Sequence, residues 1–221
     1  MKIFIVIPCW NDSKSLAAVI AGAKKYGEVI AVDDGSDDNS VVVAEKSGAI
    51  ALRHFINRGQ GASLETGDIY AYNHGADLVV HFDADGQHRA EEILNLIAPI
   101  IENKADVVMG SRFIGENKQN VPWLKKWLIL KPAIFFHNLL LGVNLTDAHN
   151  GFRAMNRVAL GKIHIQQDRY SHASEIVAEI AKSGLRYQEV PVTVIYHRFG
   201  QSFAGGLEIL KDLFFGKFRK K

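Results

Sequence analysis

Hydrophobic and polar positions along the first half of the chain switch repeatedly between two periods. Lys2–Ile7 is a continuous β-rich apolar run, and Ser13–Lys25 then carries its apolar residues at helical spacing. The exchange repeats with Val29–Val32 as strand, Asn39–Ser47 as helix, Ile50–His54 as strand and Ala62–His74 as helix. The strand Leu78–Phe82, the helix Ala90–Glu102 and the strand Asp106–Met109 continue it. Such an alternation predicts an α/β fold, a mostly parallel central sheet flanked by helices, because strands buried on both faces read as unbroken apolar runs joined by helical crossovers. The chain has 221 residues, 48% of them hydrophobic, which is enough for one large core, and no Pro/Gly/Ser-rich linker divides it. A single domain is expected over residues 1–202, followed by a short C-terminal helix over 203–221.

Polar chemistry concentrates where strands give way to helices. Asp77-Leu-Val-Val-His-Phe-Asp83-Ala84-Asp85-Gly86-Gln87-His88 is an apolar strand ending in two carboxylates spaced i, i+2. The carboxyl ends of parallel strands form the crevice in which open α/β folds bind ligands. Oxygen donors from Asp83, Asp85 and Gln87 suit a hard cation, Mg²⁺ or Mn²⁺, shared with substrate phosphates; the plainer alternative is an acidic turn that caps the next helix. Two further loops carry acids and amides, Ile7-Pro8-Cys9-Trp10-Asn11-Asp12 and Val32-Asp33-Asp34-Gly35-Ser36-Asp37-Asp38. Helix capping accounts for Asp37 or Asp38. Asp33 and Asp34, set before a turn glycine, are expected to face the crevice and accept hydrogen bonds from a base or ribose. Asn57-Arg58-Gly59-Gln60-Gly61 is a loop that permits close backbone approach and adds one cation for phosphate.

Together these residues resemble the family 2 glycosyltransferases, and within them the polyprenyl- or dolichyl-phosphate sugar transferases. Ile7–Asp12 is similar to the family's Ile-Pro-x-Tyr-Asn-Glu loop, Val32–Asp37 to its Val-Asp-Asp-Gly-Ser-x-Asp signature, and Asn57–Gly61 to its Asn-x-Gly-x-Gly loop. Asp83–His88 matches the Asp-Ala-Asp-x-Gln-His metal motif. Gly110-Ser111-Arg112-Phe113, Asp147 with Asn150-Gly151-Phe152-Arg153, Glu189–Val192 and Tyr196–Ser202 resemble the later segments. The chain departs from the pattern at Trp10 for tyrosine, Asp12 for glutamate and Gln60 for lysine.

The resemblance implies the A-type glycosyltransferase fold, with residues 1–115 as a nucleotide-sugar-binding half and 116–202 as an acceptor-side half. It implies that Pro8, Asn11, Asp12, Asp33, Asp34, Gly35, Asn57, Gly59, Gly61, Asp83 and Ala84 surround a nucleoside diphosphate sugar, UDP- or GDP-linked. Asp83, Asp85 and Gln87 would hold the divalent metal, and direct displacement would invert the anomeric carbon. Asp85, Arg112 and Asp147 are the expected catalytic residues, and Arg112, Arg153 and Arg198 the expected contacts to an acceptor phosphate. A polyprenyl phosphate is the acceptor implied; a hydroxyl acceptor, with Asp147 as its base, and a non-catalytic nucleotide-sugar-binding protein are the alternatives.

A lipid acceptor requires contact with a membrane surface. Trp123–Leu141 is apolar and aromatic but interrupted by Lys125, Lys126, Lys131, Pro132 and His137, which suits an interfacial position better than a spanning one. Leu207, Leu210, Phe214 and Phe218 recur at helical spacing beside Lys217, Arg219, Lys220 and Lys221, a basic amphipathic pattern that fits either a membrane surface or a core-packed helix with a solvated end. Neither a secretory signal nor an intramolecular disulfide is expected, since Met1–Cys9 reads as a strand and Cys9 is the single cysteine. A net charge of +2 gives no reason to invoke nucleic acid. The expected location is cytoplasmic, peripheral on the membrane face, with room for a membrane-protein partner; the pattern carries no information on oligomeric state.

Overall fold

The computed structural model describes residues 1–115, 142–148, 150–168 and 171–195. The expected alternation is present: β1 (Ile3–Cys9), α1 (Leu16–Ala23), β2 (Glu28–Asp33), α2 (Ser40–Lys46), β3 (Ile50–Arg53), α3 (Gln60–Asn73), β4 (Leu78–His81), α4 (Ile93–Ile101) and β5 (Val107–Ser111). Element ends shift by a few residues from the sequence pattern, notably at two helix starts. Helix α3 begins two residues earlier than its apolar face suggests, directly after Gly59, whose φ of 105° turns the chain into it. The stretch Ala90–Glu92 is a 3₁₀ turn leading into α4.

After β5 the described chain supplies β6 (Arg153–Asn156), the single-turn α5 (Arg157–Leu160), α6 (His172–Lys182) and β7 (Tyr187–Pro191). Among the described residues the sheet has seven strands in the order β3-β2-β1-β4-β6-β5-β7. Strands β1, β2, β3 and β4 are mutually parallel. Strand β6 runs antiparallel to both β4 and β5, and β7 pairs parallel with β5. β1 through β5 therefore all end at one edge, and β6 begins there.

Both sheet faces are covered, as the unbroken apolar runs require. On one side Phe4, Val6, Ile30, Val32 and Val79 pack with Leu64 and Ala71 of α3 and Ile176 and Ile180 of α6. On the other, Ile5, Ile7, Val80 and Ala154 pack with Leu16 and Ile20 of α1 and Ile93 and Leu96 of α4. A side chain at Gly67 would collide with Val6 Cγ1, so α3 lies on β1 at a distance only glycine allows. That contact matters for function because α3 begins at the crevice.

Gly67→Ala is expected to destabilise the protein. Overpacking against a buried strand costs about 1–3 kcal/mol, offset by about 1 kcal/mol of helix propensity. Urea unfolding should therefore show a lower midpoint at an unchanged slope; an unchanged midpoint would show that α3 shifts freely on the sheet.

Candidate active site

The loops leaving β1 and β2 are stitched to each other at the carboxyl edge. Asn11 adopts a φ of 59°, which asparagine tolerates better than most residues. Its backbone N–H donates to Ser36 Oγ at 2.9 Å, and its Oδ1 accepts from the Asp37 N–H at 3.0 Å. The Asp12 N–H donates to Ser40 Oγ at 3.0 Å, while Asp12 Oδ2 accepts from the Trp10 N–H at 2.9 Å. Trp10 itself stays half exposed.

Asp33 and Asp34 are both buried but differ in what they still have to offer. Asp34 Oδ1 accepts from the Arg58 N–H at 2.9 Å and lies 2.8 Å from His54 Nδ1; Oδ2 accepts from the Gly59 N–H at 2.6 Å. With the Asn57 amide oriented to satisfy both its ends, its nitrogen donates to Asp34 Oδ2 at 3.3 Å and its oxygen accepts from Trp10 Nε1 at 3.2 Å. Asp34 thus organises the 57–59 loop. Asp33 Oδ2 accepts from the Ser36 N–H at 3.1 Å and lies 3.4 Å from Arg53 Nε, whereas Asp33 Oδ1 is buried with no hydrogen-bond partner among the described residues. A buried carboxylate oxygen in that condition is costly, and a ligand N–H or hydroxyl would relieve it.

The Asn57–Gly61 loop is docked from its other side. The Gly61 N–H donates to the Asp168 carbonyl at 2.9 Å, and a Cβ at Gly61 would collide with the Gln167 carbonyl. Glycine is required there by the 167–168 segment, not by a ligand's approach. The Arg58 guanidinium, expected to meet phosphate, lies 3.4 Å from Asp168 with both side chains half exposed.

Asp83 leaves β4 directly over a buried aromatic step. Phe82 meets Phe152 edge-on at 5.2 Å between centroids, and His88 lies 4.9 Å from Phe152. His88 Nε2 is thereby held 3.4 Å from Asp83 Oδ2, and Gln60 Nε2 donates to Asp83 Oδ1 at 2.9 Å. Burial acts to raise the Asp83 carboxyl, but the His88 hydrogen bond and the charges of His88, Arg153 and His172 outweigh it and hold the group below its usual range. Asp85 is exposed, and its Oδ1 accepts from the Gln87 N–H across the Gly86 turn. Ala84 between them is buried.

Among the described residues no three His, Cys, Asp or Glu side chains are gathered into a preformed metal site. Burial raises the Asp12 carboxyl, and the negative charges of Asp85, Asp38 and Asp83 raise it further against the Trp10 hydrogen bond. Converging carboxylates on one crevice are a repulsion that a hard cation would offset. Asp83, Asp85 and the Gln87 amide are the residues that would hold it.

Arg153 is fully buried, donating from Nε to the Gly151 carbonyl at 3.3 Å and from Nη2 to the Asn150 carbonyl at 3.0 Å. Desolvation pushes its guanidinium down to about 10, against the pull of Asp83 and Asp68. The expected acceptor contact is therefore enclosed beneath the crevice, with its Nη1 buried and without a hydrogen-bond partner among the described residues. The neighbouring Asp68, within 3.0 Å of His81 Nε2 on both oxygens, gave no signal in the motif pattern.

On the far side of the edge, Arg112 and Asp147 form a closed pair. Arg112 donates from Nε to Asp147 Oδ2 at 2.7 Å, from Nη2 to Oδ1 at 2.8 Å, and from its backbone N–H to Oδ2 at 3.1 Å. Asp147 is buried and Arg112 a quarter exposed. Arg198, Lys125, Lys126, Lys131, the Trp123–Leu141 segment and the basic C-terminal pattern lie outside the described residues. Sequence reasoning passed over the roles of His54, Ser36 and Asp168 and the contact between Gln60 and Asp83, because these follow from the fold and not from any spacing. A shallow depression of about 790 Å³ lined by Lys2, Lys24, Tyr26, Glu28 and Asp77 opens at the opposite edge of the sheet, away from all of these groups.

An α/β sheet with carboxylates gathered at its carboxyl edge defines a ligand-binding enzyme scaffold of the doubly wound kind. The family model for glycosyl transferase family 2 matches residues 4–163, and the chain belongs to that family and is a glycosyltransferase. It is 34% identical over 207 residues to an uncharacterised protein of Methanocaldococcus jannaschii, covering 91% of this chain and 84% of that one. It is 33% identical to the UDP-N-acetylglucosamine–dolichyl-phosphate N-acetylglucosaminyltransferase of Methanococcus voltae, over 94% of this chain and 90% of that protein. It is 28% identical to the polyprenol monophosphomannose synthase of Mycolicibacterium smegmatis, over 96% and 84%. Among solved structures, glucosyl-3-phosphoglycerate synthase of Mycobacterium tuberculosis superposes with a TM-score of 0.74 at 18% identity, covering 96% of this chain and 78% of that one, which shows the shared A-type glycosyltransferase fold.

The contrast between the two adjacent aspartates is testable. Asp34→Ala strands the Arg58 and Gly59 N–H groups and should cost about 2 kcal/mol of stability. Asp33→Asn should leave the melting temperature nearly unchanged while weakening nucleotide binding about tenfold or more, the value of one hydrogen bond to a charged group. Calorimetric titration with UDP and GDP beside thermal melts of both variants checks this, and equal stability losses would erase the distinction.

Proposed function

We propose that this glycosyltransferase moves one sugar from a UDP- or GDP-sugar to a polyprenyl phosphate, with inversion and with a divalent cation, Mg²⁺ or Mn²⁺. Asp33 accepts from the base or ribose through its unpartnered oxygen. The loop held by Asp34 lines the nucleotide, and Asp83, Asp85 and Gln87 hold the cation. When bound, that cation acts as a Lewis acid on the departing diphosphate, where charge develops as the sugar–phosphate bond breaks. Gln60 and His88 keep the Asp83 carboxylate oriented and ionised toward it.

The observation that carries the choice of acceptor is the Arg112–Asp147 pair. A hydroxyl acceptor needs a positioned base, and both Asp147 oxygens are already accepting from Arg112. A phosphate acceptor is an anion before it arrives and needs only orientation, for which a guanidinium held in one plane is suited. The dolichyl-phosphate and polyprenol-phosphate relatives support the same reading. Among the described residues no helix is long and apolar enough to cross a membrane. A peripheral position on the cytoplasmic membrane face, through Trp123–Leu141 and the basic C-terminal segment, accompanies this proposal.

Incubating the protein and Mn²⁺ with UDP- and GDP-sugars, with and without a short-chain polyprenyl phosphate, should give a lipid-linked sugar from one donor by mass spectrometry. Product made only with a hydroxyl acceptor would remove the lipid reading. Asp85→Ala should lower turnover on the order of 100-fold, comparable to loss of one electrostatic contact to the transition state. Chelation of the metal should abolish turnover in the wild type.

A further inference from the structure

The Thr146–Asp147 turn is held by Glu189, the first residue of the Glu189–Val192 segment, to which the motif resemblance assigns no role. Glu189 in β7 faces it with both carboxylate oxygens. Oε1 accepts from the Thr146 N–H and the Asp147 N–H, each at 2.9 Å. Oε2 accepts from the Thr146 N–H at 2.8 Å and from Thr146 Oγ1 at 3.0 Å. Thr146 Oγ1 is also 2.7 Å from Ser111 Oγ, at the end of β5 and next to Arg112. The register pairs Met109 with Glu189 and Ser111 with Pro191, so β7 reaches the crevice edge alongside the strand that delivers Arg112.

Asp147 receives a backbone N–H bond and two guanidinium bonds from Arg112, so the two side chains fix each other and a displaced Asp147 carboxylate would disturb the plane of the guanidinium. The Asp147 backbone in turn stands where Glu189 holds it. Thr146 and Asp147 belong to a stretch, residues 142–148, that has no strand or helix of its own to fix it. A carboxylate accepting from backbone N–H groups is among the stronger fixing contacts available to such a loop. Glu189 stands in the outermost strand of the described sheet, where an acidic side chain is tolerated and free to serve the turn.

We propose that Glu189 is a positioning residue for the acceptor: it fixes the Thr146–Asp147 turn and, through Asp147, sets the orientation of the Arg112 guanidinium that meets the acceptor phosphate. The inference rests on the reading of Arg112 as the acceptor contact. It assigns Glu189 no contact with either substrate. Its removal therefore moves acceptor binding and leaves donor binding alone.

The test uses Glu189→Ala, Glu189→Asp and Glu189→Gln in the full chain, with Asp147→Ala and the Glu189→Ala/Asp147→Ala pair. Glutamine keeps the length and one oxygen for the Thr146 and Asp147 N–H groups, and aspartate keeps the charge but withdraws it from the turn. Acceptor KM, and the Kd of farnesyl phosphate for the Mn²⁺–nucleotide-loaded protein, should rise about tenfold in Glu189→Ala, in line with the cost of a small misplacement of a binding group. Glu189→Gln should stay near wild type, and nucleotide Kd should not move in any Glu189 variant. The double variant should be no worse than Asp147→Ala, because the two residues act in series. If Glu189→Ala does not fold, Glu189→Asp carries the comparison. An unchanged acceptor KM and farnesyl phosphate Kd would overturn the proposal, as would nucleotide Kd rising in step with them, or losses that multiply independently in the double variant. A wild-type enzyme that ignores polyprenyl phosphate and uses a hydroxyl acceptor instead overturns only the acceptor reading; the same comparison with that acceptor then decides Glu189.

Discussion

The insertion of β6 between β4 and β5, antiparallel to both, is the constraint on which the site depends. Its first residue, Arg153, pairs with His81 on one side and Met109 on the other. That register seats Gly151 against the Asp83 carboxylate, where a Cβ would come within 2.8 Å of Oδ2. Because β6 starts at the carboxyl edge, the residues that precede it, 142–148, lie beside the end of β5, and Asp147 meets Arg112. One strand running the wrong way through an otherwise parallel array thus joins the Asp83 end of the crevice to the Arg112 end.

Charge balance follows from the same geometry. The negative charges of Asp83 and Asp85 act on Asp12 across one end of the crevice, and the charges of Arg153, His88 and His172 act on Asp83. The latter keep Asp83 ionised without requiring a ligand, while Asp12 is raised by burial and by its acidic neighbours. A crevice of that polarity suits a cation brought in with a diphosphate. Arg112 and Asp147 present a neutralised pair at the other end, so the two ends of the crevice differ in the charge they receive.

The loops that follow β1, β2 and β4 were legible residue by residue, because each of those strands ends in a loop whose polar residues are adjacent in sequence. Asn11, Asp12, Asp33, Asp34, Asp83 and Asp85 all fall on strand ends for that reason. What the adjacent pair Asp33-Asp34 conceals is division of labour: the two look equivalent until His54, Arg58 and Gly59 are seen to occupy the second. The burial of Arg153 was hidden for a related cause. Its place in a Gly-Phe-Arg segment implies an acceptor-phosphate contact, and only the pairing of β6 with β4 and β5 shows the side chain to be enclosed. Glu189 opens a segment that the sequence singles out, but its contact is not legible there because its partners, Thr146 and Asp147, lie more than forty positions away.

By itself the sequence determined the α/β class, the parallel order of local strand-helix units, the edge at which chemistry gathers and the family to which the chain belongs. These depend on hydrophobic period and on short motifs, which are local properties of a chain. Tertiary structure alone decided which carboxylate oxygen is left without a partner, which arginine is buried, and which acid holds the turn beneath Arg112. Each of those is an accounting of hydrogen bonds among groups distant in sequence, and such an accounting exists only once β6 and β7 have taken their places in the sheet.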